Sequence, residues 1–344
     1  MTEPETDATR TARAQAPATA GTPTSGATPT SGATATSAAT ATSAAAPTSA
    51  AAPTSAAASA PAGAPGTVGR ELRRRPLFLV TGGCVLLLLV LAVAPGLFAG
   101  WFGHGDPRVC DLGDSARGPA PGHPFGFDTQ GCDLYANVVH GAGASLGVGL
   151  LATGSGLLVA LVLGTLAGMA GRVVDSVIAR VTDIFLGFPF LLGAVVVLNT
   201  VTSRDVFTVA AVLALFGWPA MTRVVRASVR SAREADYVVM ARSLGGSEWH
   251  IVRRHVLPNI LTPVLVLASI TVGGVVVAEA ALTFLGVGLQ SPSISWGLQL
   301  ASAQNTFQTH PHLLIFPGLF LSFTVFSLIA FGDTVRDALD PRTR

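Results

Sequence analysis

Lysine is absent from this chain of 344 residues, and all 21 of its basic residues are arginine. That absence excludes a phosphate-binding P-loop, because the glycine-rich turn needs a terminal lysine to reach the nucleotide phosphates. It also excludes Schiff-base chemistry through a side-chain amine. Charged residues make up only 12% of the chain and the net charge is +2, so the basic face that binds nucleic acid is missing. We expect no bound cofactor and no nucleic-acid partner.

Clusters of chemically active side chains are missing as well. Of the seven histidines only His310 and His312 lie close together, without a Cys, Asp or Glu within ten residues. Two imidazoles alone make a weak metal site. The sequence also lacks a Ser/His/Asp elbow and an intramembrane carboxylate pair. We therefore predict no metal site and no catalytic residues.

Apolar residues are abundant: they form half of the chain, and the mean hydropathy is positive. This composition is typical of an integral membrane protein. Charge-poor runs long enough to cross about 30 Å of hydrocarbon as helices predict an all-α domain over residues 70–344. The six predicted spans cover residues 77–98, 145–170, 184–202, 206–222, 259–280 and 313–331. A re-entrant pair at the third and fourth runs is the alternative.

The arginines predict the orientation of these spans. With six spans, 18 of the 21 arginines fall on one side, and only Arg108, Arg117 and Arg204 fall on the other. Positive residues concentrate in cytoplasmic loops. We therefore predict a multi-pass protein of the cell membrane, in contact with lipid, with both termini in the cytoplasm.

Residues 1–69 consist almost entirely of Ala, Thr, Ser, Pro and Gly, and residues 22–57 form six tandem hexapeptides. Such a tract has no large apolar residues to bury and cannot offset the entropy of ordering. We predict a disordered cytoplasmic tail, which is a tether or a drifting extension. The first apolar run begins only at Leu77, so the tail is not expected to be a secretory signal.

The three cysteines divide between two environments. Cys84 lies inside the first span, whereas Cys110 and Cys132 share the external loop before the second span. The outer side of the membrane permits disulfides. We predict a Cys110–Cys132 disulfide, and two free thiols are the alternative.

The loop between the fourth and fifth spans has the pattern of two short helices joined by a bend. Residues 234–244 place Tyr237, Met240, Ala241 and Leu244 on one apolar face at helical spacing. Gly245 and Gly246 end that helix. Ser247 caps a second helix over residues 248–256, and Pro258 marks the start of the next span.

This loop resembles the EAA loop of ABC-importer permeases. Four residues match at the family's spacing, namely Ala241, Gly245, Leu257 and Pro258, whereas Val239, Met240 and His255 depart from it. The resemblance implies that the bend docks into a cleft of a cytoplasmic ATPase subunit and passes its closure to the spans.

The departure at Val239 removes the acidic residue with which the family contacts its ATPase. Glu234, Asp236 and Glu248 are the nearby acids. We expect one of them to replace that contact.

Further segments resemble dipeptide and oligopeptide permeases, a group that includes nickel importers. They are residues 123–133 before the second span, 279–288 with 295–297 after the fifth, and 332–341 at the C-terminus. The resemblance covers about residues 70–343. It implies the second permease subunit of such an importer.

By the same resemblance the chain is a transporter subunit and not an enzyme. Its implied partners are a homologous second permease, two ATPase subunits that hold ATP and Mg²⁺, and an extracytoplasmic solute-binding protein. The implied cargo is short peptides; nickel or another small solute is an alternative. An ion-coupled secondary transporter and a membrane scaffold are the remaining alternatives, although the first would need carboxylates near the midplane.

Two ionisable residues stand at the ends of predicted spans. Asp183 precedes the third span and Glu279 lies at the outer end of the fifth. Ionisable groups at such depths are costly, so each lines the solute path or rests at an interface. For Asp183 we favour the cytoplasmic interface, with Arg180 or a backbone amide as its partner. In the second span Gly164, Gly168 and Gly171 predict a seam for close helix packing.

Overall fold

The computed structural model describes residues 76–103 and 105–339. The predicted tail over residues 1–69, with its hexapeptides, lies outside the described residues. So do Arg73, Arg74 and Arg75, and the last residues of the predicted C-terminal segment. The prediction of a disordered tail therefore stays a prediction.

The described residues form helices joined by loops, without named β-strands. Their bounds are α1 Pro76–Val93, α2 Gly96–Ala99, α3 Leu134–Met169, α4 Arg172–Leu186, α5 Phe190–Thr200, α6 Val206–Arg233, α7 Asp236–Ser243, α8 Glu248–Ile251, α9 Leu257–Phe284, α10 Trp296–Ala303 and α11 His312–Leu339. A five-residue π-helical turn, Val252–Val256, joins α8 to α9. A 3₁₀ turn, Leu112–Asp114, lies in the loop before α3, which we call the external loop after its predicted side.

Among these residues, five helical segments are long and apolar enough to cross a membrane. A sixth span results if the bent pair α4 and α5 is counted as one, although its two helices meet at 79°. The bend follows from Pro189, which has no N–H and restricts Phe188 to non-helical backbone. The prediction of an all-α membrane domain is confirmed.

Two helices begin well before the predicted spans. In α3 the Asp133 side chain caps the helix by accepting hydrogen bonds from the backbone N–H groups of Tyr135 (2.8 Å) and Ala136 (3.3 Å). The helix therefore starts outside the apolar run that began at residue 145. Helix α4 begins at Arg172, before the predicted third span. Its first part is amphipathic and contains charged residues, so a search for charge-free runs misses it.

The domain is centred on α3, which packs most extensively against α6. Gly164 and Gly168 make this approach close, since a Cβ atom on either would lie 2.7 Å from Val225 Cγ1 or 2.5 Å from Val229 Cγ1. Gly171 does not continue the predicted seam. It is the N-cap residue of α4 and faces open space, because α3 has ended two residues earlier.

Apolar side chains form three buried clusters. One surrounds Trp296 and the start of α3, and a second lies beside it and joins α3, α5, α6 and α9. The inner cluster brings Val238 of α7 and Ile251 of α8 against Val225 and Val229 of α6. Helix α7, the turn after it and α8, which we call the cytoplasmic bend after the side that the sequence predicts for them, are thus packed into the same core as the spans.

Substitution of the α3 glycines tests this packing. We expect the double variant Gly164→Ala/Gly168→Ala to lose about 1–3 kcal/mol of stability, because the added methyl groups overpack the contact with α6. Thermal unfolding of the detergent-purified protein measures the loss as a lower Tm.

The control is Gly154→Ala in the same helix. An added Cβ there meets nothing within 4 Å, and alanine is the better helix former, so its Tm should be unchanged or higher. A double variant as stable as the wild type would contradict the packing described here.

Candidate functional site

The cytoplasmic bend is held by two backbone hydrogen bonds at the end of α7. The N–H of Gly245 donates to the carbonyl oxygen of Arg242, and the N–H of Gly246 donates to that of Ala241, both at 3.0 Å. This pair of bonds is a Schellman motif, which needs a left-handed residue after the helix. Gly245 supplies it with φ of +84°.

Gly246 is required for a different reason. A Cβ on this residue would lie 2.9 Å from the carbonyl oxygen of half-buried Ala241. Any larger side chain would therefore push against the last turn of α7. The two predicted glycines thus fix the bend by conformation and by space, respectively.

A salt bridge spans the bend. The guanidinium of Arg242 donates two hydrogen bonds to the carboxylate of Glu248, at 2.8 and 3.0 Å. Bidentate pairs of this kind fix geometry as well as charge. Of the three predicted acids, Glu248 is therefore engaged within the bend, whereas Glu234 and Asp236 lie exposed at its start.

The second half of the bend is continuous with the following span. Ser247 caps α8 by accepting a hydrogen bond from the N–H of His250 at 3.4 Å, and the π-helical turn then leads directly into α9. The predicted bounds of the second helix, residues 248–256, are confirmed, but the next helix follows it without an interruption. Pro258 lies in the first turn of α9, where its missing N–H is tolerated after the wider π-helical turn.

One helical segment therefore runs from Glu248 to Phe284, over 37 residues. At 1.5 Å per residue it is roughly 55 Å long. We call this continuous helical segment, Glu248 to Phe284, the rod. Leu257 and Pro258, which we predicted as part of the bend, lie inside it.

The apolar surface of the bend is only partly used by the chain itself. Val238 and Ile251 are fully buried, but Met240, Leu244 and Trp249 are 65%, 84% and 72% exposed. The apolar face that we predicted on α7 is thus mainly the outward face, and the packed residue is Val238. Periodicity identifies an apolar face but not the surface that covers it.

Ion pairs join α4 to α6 beside the bend. Asp175 accepts hydrogen bonds from both Arg226 and Arg230, and Asp183 accepts one from Arg223 at 2.6 Å. The predicted pairing of Asp183 with Arg180 is wrong. Asp183 lies in the last turn of α4 and its carboxylate faces α6, so its partner is 40 residues away in sequence.

A cavity of about 450 Å³ separates these ion pairs from the bend. Its lining includes Arg172, Arg233 and the Arg242–Glu248 pair, and Arg233 also donates to the carbonyl oxygen of Gly168 at 3.1 Å. Sequence reasoning missed this arrangement, because its members come from α3, α4, α6 and the bend.

At the opposite end of the rod, Glu279 is completely buried. Its Oε1 accepts a hydrogen bond from the hydroxyl of Thr283 at 2.9 Å. Ser145 of α3 and Ser295, the N-cap residue of α10, flank the same carboxyl group. Glu279 thus lies where α3, α9 and the start of α10 meet.

The external loop folds around Cys110 and Cys132, which the structure joins in a disulfide. Asp128 Oδ1 accepts hydrogen bonds from the N–H groups of Gln130 and Cys132, both at 2.8 Å. Burial raises the pKa of Asp128, and these hydrogen bonds oppose the rise. His123 Nδ1 lies 2.8 Å from Asp133 Oδ2, so the predicted segment 123–133 also supports the cap of α3.

Potential metal ligands do not gather in the described part of the chain, where no group of three or more His, Cys, Asp or Glu could hold an ion. The rings of His310 and His312 lie 6.1 Å apart. His312 Nε2 is 3.3 Å from the carbonyl oxygen of Phe127, which ties α11 to the external loop.

Comparison with known proteins identifies the family. Residues 160–344 match the family described as binding-protein-dependent transport system inner membrane component. The dipeptide transport system permease protein DppC of Alkalihalophilus pseudofirmus is 32% identical over 80% of this chain and 89% of its own length. The oligopeptide transport system permease protein OppC of Bacillus subtilis is 31% identical over 75% and 85%, respectively.

A third relative has another substrate in its name. The glutathione transport system permease protein GsiD of Pectobacterium atrosepticum is 35% identical over 66% of this chain and 75% of its own length. The matches therefore extend across both the cytoplasmic bend and the spans.

Gly245 offers a test of the bend that does not depend on space, since an added Cβ meets nothing within 4 Å. We expect Gly245→Val to destabilise the bend by about 1–2 kcal/mol, because a β-branched residue is strained at positive φ. Hydrogen exchange of the 236–247 segment should become faster. Gly245→Asn is the control, since asparagine adopts this conformation readily; equal exchange in both variants would show that φ is not the constraint.

The disulfide predicts a labelling pattern. In the unfolded, unreduced protein we expect a maleimide to modify Cys84 alone, and after reduction all three cysteines. Mass spectrometry counts the labels. Modification of three cysteines before reduction, with thiols trapped at lysis, would contradict the Cys110–Cys132 pair.

Proposed function

Because the chain belongs to the family of binding-protein-dependent transport system inner membrane components, we propose that it is the permease subunit of an ATP-driven importer for di- or oligopeptides. The supporting observation is the rod from Glu248 to Phe284, which begins at an exposed apolar bend and is long and apolar enough to cross a membrane as one helical segment. A cytoplasmic protein that moves the bend would move the whole span.

The bend is the proposed docking surface for an ATPase subunit. Met240, Leu244 and Trp249 present large apolar side chains that the described chain leaves uncovered. Buried aromatic and aliphatic anchors supply most of the binding energy of protein interfaces. The inner cluster behind them, around Val238 and Ile251, packs the bend against α6, and close-packed interiors transmit strain.

The acidic contact to the ATPase is proposed to come from Glu234 or Asp236. Both are exposed at the start of the bend, whereas both carboxylate oxygens of Glu248 accept hydrogen bonds from Arg242. Glu248 then serves to hold α7 and α8 together, while the ATPase pushes on both. Glu248 is thereby dropped as a replacement for the acidic residue that Val239 lacks.

The proposed assembly contains a homologous second permease, two ATPase subunits and an extracytoplasmic binding protein that delivers the solute. ATP and Mg²⁺ belong to the ATPase subunits, and this chain binds no cofactor. The arginine-rich bend faces the cytoplasm, in line with the preference of positive residues for that side. The disulfide-bonded loop then faces the outside, where cysteines oxidise.

Uptake by cells tests this function. Labelled dipeptides, labelled oligopeptides and nickel are supplied to cells that lack the chain, to cells with it restored, and to restored cells whose partner ATPase is inactive. We expect peptide uptake only where the chain and an active ATPase are both present.

Two other outcomes would contradict the proposed function. Peptide uptake that persists with the inactive ATPase would contradict ATP-driven transport and favour an ion-coupled transporter. Nickel uptake without peptide uptake would contradict the proposed substrate.

Leu244 tests the docking surface. We expect Leu244→Asp to reduce co-purification of the ATPase by about tenfold or more, because a charge would replace an apolar anchor at the centre of the interface. Leu244→Met, which keeps the apolar surface, is the control. Since Leu244 is 84% exposed, neither variant should lower the Tm of the isolated permease, and normal ATPase binding by Leu244→Asp would place the docking surface elsewhere.

A further inference from the structure

The segment that follows α9 on the outer side folds back onto the membrane domain. We call residues 285–303 the external hairpin; it consists of a loop over residues 285–295 and helix α10. The side chain of Trp296 in α10 is completely buried, and its indole N–H donates to the carbonyl oxygen of Val138 in α3 at 2.9 Å. The hairpin is therefore a packed part of the domain.

Glu279 lies at the base of this hairpin and reaches its loop through one residue. The hydroxyl of Thr283 donates to Glu279 Oε1 at 2.9 Å and accepts a hydrogen bond from the N–H of Leu289 at 3.0 Å. The chain from carboxyl to hydroxyl to loop backbone connects the outer turns of α9 to the loop.

Two serines complete the connection. Ser145 Oγ accepts from the N–H of Trp296 at 3.2 Å, and Ser295 Oγ accepts from the N–H of Leu298 at 3.1 Å. Each hydroxyl then still has its own hydrogen to donate, and both serines flank the Glu279 carboxyl group. Glu279 Oε2 is buried and forms no hydrogen bond within the described chain, although both serines lie beside it.

The hairpin and α9 pack so closely that no further side chain fits between them. Gly288 leaves no room for a side chain, because its added Cβ would overlap Thr283, and a Cβ on Gly297 would lie 2.9 Å from Ala280 Cα. The hairpin therefore sits directly on the last turns of α9. Arg204 contacts the start of the hairpin loop from another direction by donating to the carbonyl oxygen of Gly286 at 3.1 Å.

We propose that Glu279 is a positioning residue that fastens the external hairpin to α9, so that the hairpin moves with the rod and acts as the outer gate of the solute path. The proposal rests on the function proposed above, in which the ATPase moves the cytoplasmic end of the same rod. Glu279 contacts no solute in this role; it holds the gate at the correct place.

The role requires hydrogen bonding and not charge. Glutamine has nearly the shape of glutamate and keeps an acceptor for Thr283, whereas leucine has a similar volume and no acceptor. Loss of the acceptor leaves the buried hydroxyl hydrogen of Thr283 without its partner and puts an apolar group beside Ser145 and Ser295, which is costly. Comparison of Glu279→Gln with Glu279→Leu therefore tests whether Glu279 acts through its hydrogen bonds or through its charge.

The experiment uses the complete importer with its ATPase and binding protein, in a Cys84→Ala background. Peptide uptake and ATPase activity are measured for Glu279→Gln, Glu279→Leu and Thr283→Val. Thr271→Val is the matched control, because Thr271 lies in α9 and bonds only its own helix, at Leu267 O. A spin label at exposed Ser291, introduced as Ser291→Cys, reports the mobility of the hairpin.

We expect Glu279→Leu and Thr283→Val to lower peptide uptake by about tenfold, with basal ATPase activity kept, because the gate is no longer tied to the rod. The label at position 291 should become more mobile in both. Glu279→Gln and Thr271→Val should behave as the wild type in uptake and in label mobility.

Two results would overturn the proposal. One is wild-type uptake and mobility in Thr283→Val, which decides the matter even if Glu279→Leu does not assemble. The other is equal damage by Glu279→Gln and Glu279→Leu, which would assign the role to the ionisable group. If the unaltered complex takes up no peptide, the proposed function is wrong, and label mobility alone still tests the fastening.

Discussion

The backbone of α9 must satisfy its hydrogen bonds internally while it crosses the membrane, and the rest of the molecule depends on how it does so. Unpaired N–H and C=O groups cost several kcal/mol in hydrocarbon. Pro258 and Pro263 each lack a backbone N–H in the first turns of α9. At Pro258 the missing N–H is tolerated in the first turn, after the wider π-helical turn Val252–Val256. The helix also continues through Pro263. As a result, α8 and α9 form one segment from Glu248 to Phe284. This segment connects the cytoplasmic bend directly to the outer end of α9.

Each end of this rod is fixed by a different kind of contact. At the inner end, Gly245 turns the chain, the Arg242–Glu248 pair spans the bend, and Val238 anchors it to α6. The contacts there are exposed on one side, which leaves an apolar surface for a partner. At the outer end, Glu279 and its neighbours are buried and polar, so they position a segment without needing a partner. Proposed docking and proposed gating therefore reside in one element.

The sequence predictions that agree with the structure rest on apolar runs and on glycines that end helices. Gly245 and Gly246 mark the bend because few other residues fit there, and charge-poor runs mark spans because charges are costly in hydrocarbon. The predictions that failed concern partners distant in sequence. Asp183 pairs with Arg223, 40 residues away. The π-helical turn that joins α8 to α9 has no sequence signature either. Thr283 carries the link to the hairpin, yet an isolated threonine in an apolar run gives no signal.

Distances at both ends of the rod test the central claim most directly. Spin labels in the assembled importer would report the inner distance from Leu77 to Arg253 and the outer distance from Val93 to Ser291, both measured from α1. The pairs are compared without nucleotide and with ATP trapped by an inactive ATPase. If the rod transmits motion as one body, both distances change between the two states. A change of the inner distance with an unchanged outer distance would contradict the account, because the bend would then move without the hairpin.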